Sequence, residues 1–349
     1  MIPKPNYAKP GVLVALTSAL LFGAGTPFAK LLLNTVNPWL LAGLLYLGSG
    51  IGLTLYRRLK KASSVNLPRN EALWFAGAIA SGGIIAPVLL MYGLTKSPAS
   101  GASLILNAEG VFTALLAWFA FKENFDRRIA FGMVAIVTGA IVLSWQGEAS
   151  FAGLWSSLAL LGACFAWGID NNLTRKVSLS DTTWVASIKG LIAGTFNLSL
   201  ALLLGVSVPP LPNIVGAMVV GLFSYGVSLA LFVVGLRLLG TARTGAYFSV
   251  SPFIGALIAL SFGEPLTLPL VIAGALMAFG VWLHLTEHHE HEHTHVEVEH
   301  EHKHIHDMHH QHAHDFPIRH GTRHTHTHQH KSITHKHDHF PDFHHQHKH

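Results

Sequence analysis

The chain has 349 residues, half of them hydrophobic and only 12% charged, with a mean hydropathy of +0.41. A soluble globular domain carries about 25% charged residues, so that class is excluded. The pI of about 9.3 does not point to nucleic acid either: residues 1–283 hold 17 Lys and Arg against 8 Asp and Glu, but these cations fall between apolar blocks, not along one folded face.

Ten apolar blocks follow one another up to His284, each close to the roughly 20 residues that a helix needs to cross a bilayer. The predicted spans are 11–31, 38–56, 72–93, 100–121, 128–146, 152–173, 183–205, 213–234, 243–263 and 267–286. Lys4 and Lys9 ahead of the apolar run Gly11 to Phe22 imitate a secretory signal. We read this segment as a retained first helix, because an internal segment repeats it. Small residues such as Gly132 and Gly139 in span five let helix backbones approach. The single Cys164, inside an apolar helix, excludes an internal disulfide and reads as a packing residue.

Orientation follows from the distribution of cations. With the N-terminus (1–10) in the cytoplasm, Arg57, Arg58, Lys60, Lys61 and Arg69 lie inside, as do Lys122, Arg127, Arg128, Arg175, Lys176, Arg237 and Arg243. The opposite loops offer only Lys30 and Lys96. An even number of spans returns the C-terminus to the cytoplasm, in the manner of a multi-pass bacterial inner-membrane protein.

An internal repeat is legible. Phe22-Gly23-Ala24-Gly25-Thr26-Pro27-Phe28-Ala29-Lys30 in span one aligns with Trp167-Gly168-Ile169-Asp170-Asn171-Asn172-Leu173-Thr174-Arg175 in span six. Tyr92-Gly93-Leu94 matches Val234-Gly235-Leu236, and Phe121-Lys122-Glu123 matches Phe262-Gly263-Glu264. Five spans per unit is an odd number, so residues 11–146 and 152–286 should face opposite ways across the bilayer, the plan of many secondary transporters. The loops agree: the basic stretch 57–61 corresponds to the cation-free 205–212, and 122–128 to the cation-free 263–269.

These halves, with the Phe-Gly…Lys and Trp-Gly…Arg endings of their first helices and the Lys-Glu or Gly-Glu closing each fourth, resemble the EamA-type permeases of the drug/metabolite transporter superfamily. The resemblance covers residues 11–284. It implies an all-α integral membrane protein of ten transmembrane helices in two inverted five-helix repeats. It also implies a substrate path between the halves, alternating access, and export of small metabolites, amino acids or drugs. The chain departs from the pattern in span four, where Glu109-Gly110 stands at the place of the Pro present in span nine as Pro252.

The sharpest candidate for a substrate contact is Glu109, near mid-span, where an isolated carboxylate costs about 2.5–3.5 kcal/mol on insertion scales. It must be protonated, paired or in a wet recess, and it reads as a contact for a substrate amine or a coupling proton, or as a structural hydrogen bond between helices. Thr113 is one turn on. Lys189 in span seven is the natural counter-charge for Glu109, or else snorkels from a helix end. Asp170 and Asn171 in span six are gate, cap or substrate contacts, and Asn107 and Ser251 line the path or join helices. Glu123 and Glu264 read as partners of a helix N-terminus, and Trp118, Trp145, Trp155 and Trp184 as interfacial anchors. No nucleotide loop or catalytic set is present, so neither an enzyme nor a required cofactor is expected. The expected partners are lipid, a small-molecule substrate, a proton as coupling ion and a second copy of the chain in a homodimer.

All 26 histidines lie at or beyond His284. The tail, 287–349, has too little apolar surface to offset its ordering entropy and is expected to be disordered. Its imidazoles alternate with acids, a ligand array suited to Zn, Ni, Co or Cu. The candidate ligands are His288, His289, His291, His293, His295, His300, His302, His304, His306, His309, His310, His312 and His314. The alternatives are a pH-responsive polycation or a solvated extension. The histidine-free spans offer few metal ligands, so the tail does not make a metal the cargo; a metal-linked transporter or a membrane metal sensor remains the rival reading.

Overall fold

The computed structural model describes residues 8–65, 67–121, 127–144, 151–174, 177, 181–239, 244, 247–285, 290–295, 298–304, 324–330 and 333–338. The chain separates into two units, Met1–Thr286 and Glu287–His349.

The described part of the first unit is helical. Helices α1 (Ala8–Leu32), α2 (Pro38–Leu59), α3 (Arg69–Ala78) and α4 (Ala86–Lys96) are followed by α5 (Ala99–Ile105), α6 (Ala108–Phe121) and α7 (Arg127–Ser144). Next come α8 (Phe151–Thr174), α9 (Thr182–Leu203), α10 (Leu211–Gly221) and α11 (Ser228–Leu239), then α12 (Ser251–Ser261) and α13 (Leu268–Leu285). Local signals set several boundaries. Asn37 caps α2 by accepting the Trp39 N–H at 2.9 Å, with Pro38 behind it at a position that needs no donor. Asp181 caps α9 through the N–H groups of Thr183 and Trp184. Gly205 and Gly263, both with positive φ, end the helices before them.

Among the described residues, six helices are long and apolar enough to cross a membrane: Gly11–Leu32, Pro38–Leu59, Glu71–Lys96, Ala99–Phe119, Thr182–Leu203 and Leu211–Phe232. The apolar helices Ala130–Ser144, Ser251–Ser261 and Leu268–Leu283 are shorter, so length and composition alone do not establish ten spans. Large apolar side chains stand outward all round the bundle, among them Leu73, Phe119, Phe131, Trp155 and Leu203. A water-facing surface of that kind would be unstable, whereas lipid matches it.

Two spans are not plain α-helices. Between α3 and α4 the backbone takes π spacing over Ile79–Ile85, and between α10 and α11 over Leu222–Val227. The match of Tyr92-Gly93-Leu94 with Val234-Gly235-Leu236 puts these segments at equivalent places in the two halves. The fourth span, expected to be continuous, is broken: Asn107 N–H bonds to the Leu104 carbonyl and Gly110 N–H to the Asn107 carbonyl, so the ladder tightens to three-residue steps between α5 and α6. A similar tight turn, Tyr247 to Val250, precedes α12.

Helix packing repeats as well. α4 packs on α8 as α11 packs on α1, and α6 lies on α8 as α12 lies on α1; α2 packs against α9, and α7 against α13. Glycine sets the closest approach: a Cβ on Gly190 would stand 2.7 Å from the N and Cα of Gly50 across α2 and α9. Fully buried Leu40, Leu41, Leu45, Leu90, Met91 and Leu160 form the main core, drawing on both halves.

In the second unit, expected from its composition to be disordered, four segments take strand geometry: β1 (Glu290–His295), β2 (Val298–His304), β3 (His324–His330) and β4 (Ile333–Asp338). β1 pairs with β4 and β2 with β3, both antiparallel. The physical reason is the period of two in the His alternation, which matches a strand.

Candidate functional site

The break between α5 and α6 places Glu109 in the first turn of α6, where unpaired N–H groups and the helix dipole favour a carboxylate. Asn171 Nδ2 donates to Glu109 Oε1 at 2.8 Å and reaches Thr113 Oγ1 at 3.2 Å. The next residue, Asn172, donates to the carbonyls of Thr113 at 3.1 Å and of Gly168 at 2.8 Å. Glu109 is half-buried and Asn171 exposed, so this pair borders open space, while Asp170 and Asn172 are buried. α8 can come this close to α6 because Gly168 faces Phe112 and Thr113; a Cβ there would meet the Thr113 nitrogen at 3.1 Å.

Lys189 does not pair with Glu109, as the sequence suggests. Its Nζ donates to Asp170 Oδ2, and Thr174 Oγ1 holds the other Asp170 oxygen at 2.9 Å. The physical reason is position: α9 presents Lys189 to the α8 face that carries Asp170, whereas Glu109 faces Asn171. The alternative of snorkelling fails too, since the ammonium end is bonded inside the bundle.

The first π segment completes the site. Wider backbone spacing frees carbonyls, and side chains satisfy them: Tyr46 OH at 2.7 Å and Trp167 Nε1 at 3.0 Å both donate to the Gly82 carbonyl. The fully buried Asn197 donates to the carbonyls of Gly83 and Ile84 at 3.3 and 3.4 Å, and accepts from Trp39 Nε1 at 3.3 Å. Gly82 is bare because a Cβ would run into the Asp170 carboxylate. At the equivalent place in the other half the sizes are exchanged: Gly25 stands where Asp170 does, and Ser224 where Gly82 does, with a Cβ on Gly25 only 2.9 Å from Ser224 Cβ. Tyr225, beside Ser224, lies against Tyr46 with ring centroids 5.5 Å apart and the planes tilted by 30°. Sequence reasoning missed Tyr46, Trp167, Asn197 and Gly82. Asn197, a lone amide deep in span seven, was the one signal that could have been found.

Other expected residues fall elsewhere. Asn107 Nδ2 turns back to the Leu104 carbonyl at 2.9 Å, so it serves the helix break. Ser251 is buried at the start of α12, where its carbonyl abuts Gly23 of α1. Glu264 does partner a helix N-terminus, but that of α5 in the other half: it accepts from Ala99 N–H at 2.6 Å and Ser100 N–H at 2.8 Å. Of the tryptophans expected at the interface, Trp184 is half-buried and stacked on Phe75 at 5.7 Å, while Trp155 is exposed. Glu123 and Trp145 lie outside the described residues, as do His288, His289, His306, His309, His310, His312 and His314. His291, His293 and His295 are on β1, and His300, His302 and His304 on β2.

Two polar clusters close the ends of the bundle. Arg57 at the end of α2 bridges Asp181 at 2.7 Å and donates to Thr183 Oγ1 at 2.7 Å and the Ser63 carbonyl at 3.0 Å. Burial pushes the Asp181 carboxyl up, but donors from Thr183, Arg57 and the Trp184 backbone outweigh it and hold it down at about 2. At the opposite end Lys30 donates to the last carbonyls of α4, Leu94 at 2.5 Å and Thr95 at 3.3 Å.

Long apolar helices, a lipid-matched surface and ionisable groups bonded in the interior define a multi-pass integral membrane protein. The chain belongs to the EamA-like transporter family, whose profile matches residues 9–145 and again 154–286. That is a family of transporters rather than enzymes. The chain is similar to an uncharacterized transporter of Methanothermobacter thermautotrophicus, 29% identical over 78% of this chain and 85% of that protein. It also resembles a "probable amino-acid metabolite efflux pump" of Salmonella typhimurium, 28% identical over 47% of this chain and 53% of the other. One solved protein structure shares the fold, with a TM-score of 0.60 at 17% identity, covering 79% of this chain and 96% of that one.

Proposed function

We propose that this protein is a secondary active exporter of a small organic solute bearing a cationic amine, such as an amino acid or related metabolite. Residues 11–146 and 152–286 form two inverted five-helix repeats, ten spans in all, with both termini and the tail 287–349 in the cytoplasm. The observation that carries the reading is the juxtaposition on α8 of two kinds of group. Glu109 with Asn171 offers an acceptor for an ammonium at the edge of open space; Asp170 with Lys189 is a buried pair that a substrate carboxylate could exchange with. Interrupted helices beside such groups suit transport, because irregular backbone inside a membrane survives only where it is satisfied by neighbours or lines a cavity. Alternating access follows from rocking of the halves, with a proton as coupling ion through Glu109, and two copies of the chain associate as a homodimer. The name of the Salmonella relative supports the solute class.

The test is counterflow of a radiolabelled amino-acid and amine panel in proteoliposomes. Glu109→Gln keeps an acceptor for Asn171, so the protein should fold while flux of the accepted solute falls by about tenfold or more, the loss of one charged hydrogen bond of about 1.5–3 kcal/mol. Normal flux in that variant removes Glu109 from the site.

The tail supports a second reading, in which divalent Zn, Ni, Co or Cu bears on what the protein does, because its 25 histidines beside carboxylates are a ligand array. The cargo would then be a metal ion or a metal-chelating metabolite, or the protein would sense or buffer metal without transport. Metal tolerance of cells carrying the full chain or a chain ending at residue 286 separates these readings. Unequal tolerance with unchanged amine flux assigns the tail to metal alone.

A further inference from the structure

We propose that α5 is a gate of the transport path, shut in this structure and latched by Glu264 and Lys30. The inference rests on the transporter reading and adds to it the moving part and the residues that hold it. The turn between α4 and α5, Ser97-Pro98, lies at the end of the bundle opposite the Arg57–Asp181 bridge. It is held from both sides. On the α4 side Lys30 of α1 donates to the carbonyls of Leu94 and Thr95. On the α5 side Glu264, in the turn after α12, accepts from the N–H groups of Ala99 and Ser100. A cation at a helix C-terminus and an anion at a helix N-terminus are the favoured placements, so each charge grips the backbone end that suits it. Lys30 belongs to the same half as the turn and Glu264 to the other, so the latch ties the halves together.

Beside the latch, α5 lies in a seam with no spare room. A Cβ on Gly255 of α12 would stand 2.7 Å from both the Gly23 carbonyl oxygen and Ser103 Oγ, and one on Gly23 would run into the Ser251 carbonyl. Phe28 against Phe262, ring centroids 5.4 Å apart, also ties α1 to α12. No solute passes between α1, α5 and α12 while they meet this closely. Yet the seam is not fully satisfied. Ser103, only 1% exposed, has a hydroxyl without a hydrogen-bond partner among the described residues. An unpaired buried hydroxyl costs the state that buries it. Parting the seam lets water reach Ser103, so this residue favours opening and the two charges favour closure.

α5 is also an element able to swing. It has seven residues, and the tightened turn at 106–108 separates it from α6, whose first turn carries Glu109. Asn107 donates its amide to the Leu104 carbonyl, which closes the end of α5 on itself. A Cβ on Gly110 would meet nothing within 4 Å, so the start of α6 has slack. Element-terminal residues of this kind absorb the backbone change of a hinge. A swing of α5 about 106–108 parts the seam and connects Glu109 with the end of the bundle that carries Lys30 and Glu264. Those two residues therefore act on passage and not on recognition. Their acid and cation recur in the sequence of the other half as Glu123 and Arg175, at the places the repeat assigns to Glu264 and Lys30, both outside the described residues.

The experiment uses the full chain in proteoliposomes and has two arms. In the double variant Ala99→Cys with Glu264→Cys, a short cross-linker cleavable by reductant joins α5 to the turn after α12, since these positions are neighbours. Counterflow of the radiolabelled amino-acid and amine panel should stop on cross-linking and return on reduction. A merely structural contact would leave flux intact, so continued flux in cross-linked protein overturns the gate. In the second arm, Ser103→Cys is labelled with an impermeant thiosulfonate reagent, with and without Glu264→Gln; the parent protein, whose single Cys164 is buried, is the blank. Glu264→Gln should speed labelling by about tenfold or more, the shift expected when one charge-assisted hydrogen bond is weakened. Cys164 should stay unlabelled, which separates gate opening from unfolding. Equal labelling in the two backgrounds overturns the latch. If no solute of the panel is carried, the exporter reading fails, and the labelling arm alone still decides whether α5 opens.

Discussion

Lys189 is bonded to Asp170 and not to Glu109, although all three lie within the helix bundle. Two acids thus take different partners: Asp170 has a cation and a hydroxyl, Glu109 an amide from Asn171. One has a cation bonded to it within the protein, and the other has only neutral donors.

That division predicts an asymmetry under mutation. Lys189→Met leaves the buried Asp170 without a counter-charge, which costs about 3–5 kcal/mol and should show as a large loss of monodisperse protein in detergent. The double variant Asp170→Asn with Lys189→Met removes both charges and should recover most of that stability, yet not solute flux. Recovery of flux in the double variant would mean the pair is structural only.

The Arg57–Asp181 bridge predicts a pH response. The Asp181 carboxyl is held down at about 2 against an ordinary 3.8, so the folded state favours its charged form. The bridge therefore contributes fully above about pH 4, and its contribution is lost as pH falls toward about 2. Thermal stability measured down the acid range should lose a component that Asp181→Asn lacks. At neutral pH, Asp181→Ala should cost about 1 kcal/mol more than Asp181→Asn, because Asn still caps α9.

Two glycines near the site should behave in opposite ways. Gly82→Ala drives a methyl into the Asp170 carboxylate, so it should displace the Lys189 pair and lower the melting temperature. Gly110→Ala meets nothing within 4 Å and lies in a helix, so it should be neutral or stabilising by about 0.5–1 kcal/mol. Equal effects in a thermal melt would show that the crowding at Gly82 is relieved elsewhere.

Glu264 joins the halves at the N-terminus of α5. Its replacement by Ala leaves the N–H groups of Ala99 and Ser100 without their acceptor and should cost about 1–2 kcal/mol. Hydrogen exchange, faster at 99–102 than in α9, would locate the loss in α5.

Much of the site was legible as a roll of residues and little of it as an arrangement. Glu109, Asp170, Asn171 and Lys189 stand out in the sequence because polar groups in apolar blocks are costly wherever they point. Tyr46 and Trp167 do not stand out, since aromatic residues in a span read as packing until a π segment exposes the Gly82 carbonyl they serve. Glu264 was legible as a helix-terminal acid, but its helix was misassigned, because chain proximity favours α13 and the fold brings α5.

The sequence by itself determined the apolar spans, the twofold repetition and the family, since hydropathy and length are summed along the chain and need no neighbours. It also determined which side chains are expensive in lipid. Only the tertiary structure decided who compensates whom: which acid holds Lys189, where the fourth span breaks, and which helix N-terminus Glu264 serves. Those outcomes depend on distances between segments far apart in the chain, and a charge or a carbonyl is satisfied by whatever the packing brings within about 3 Å.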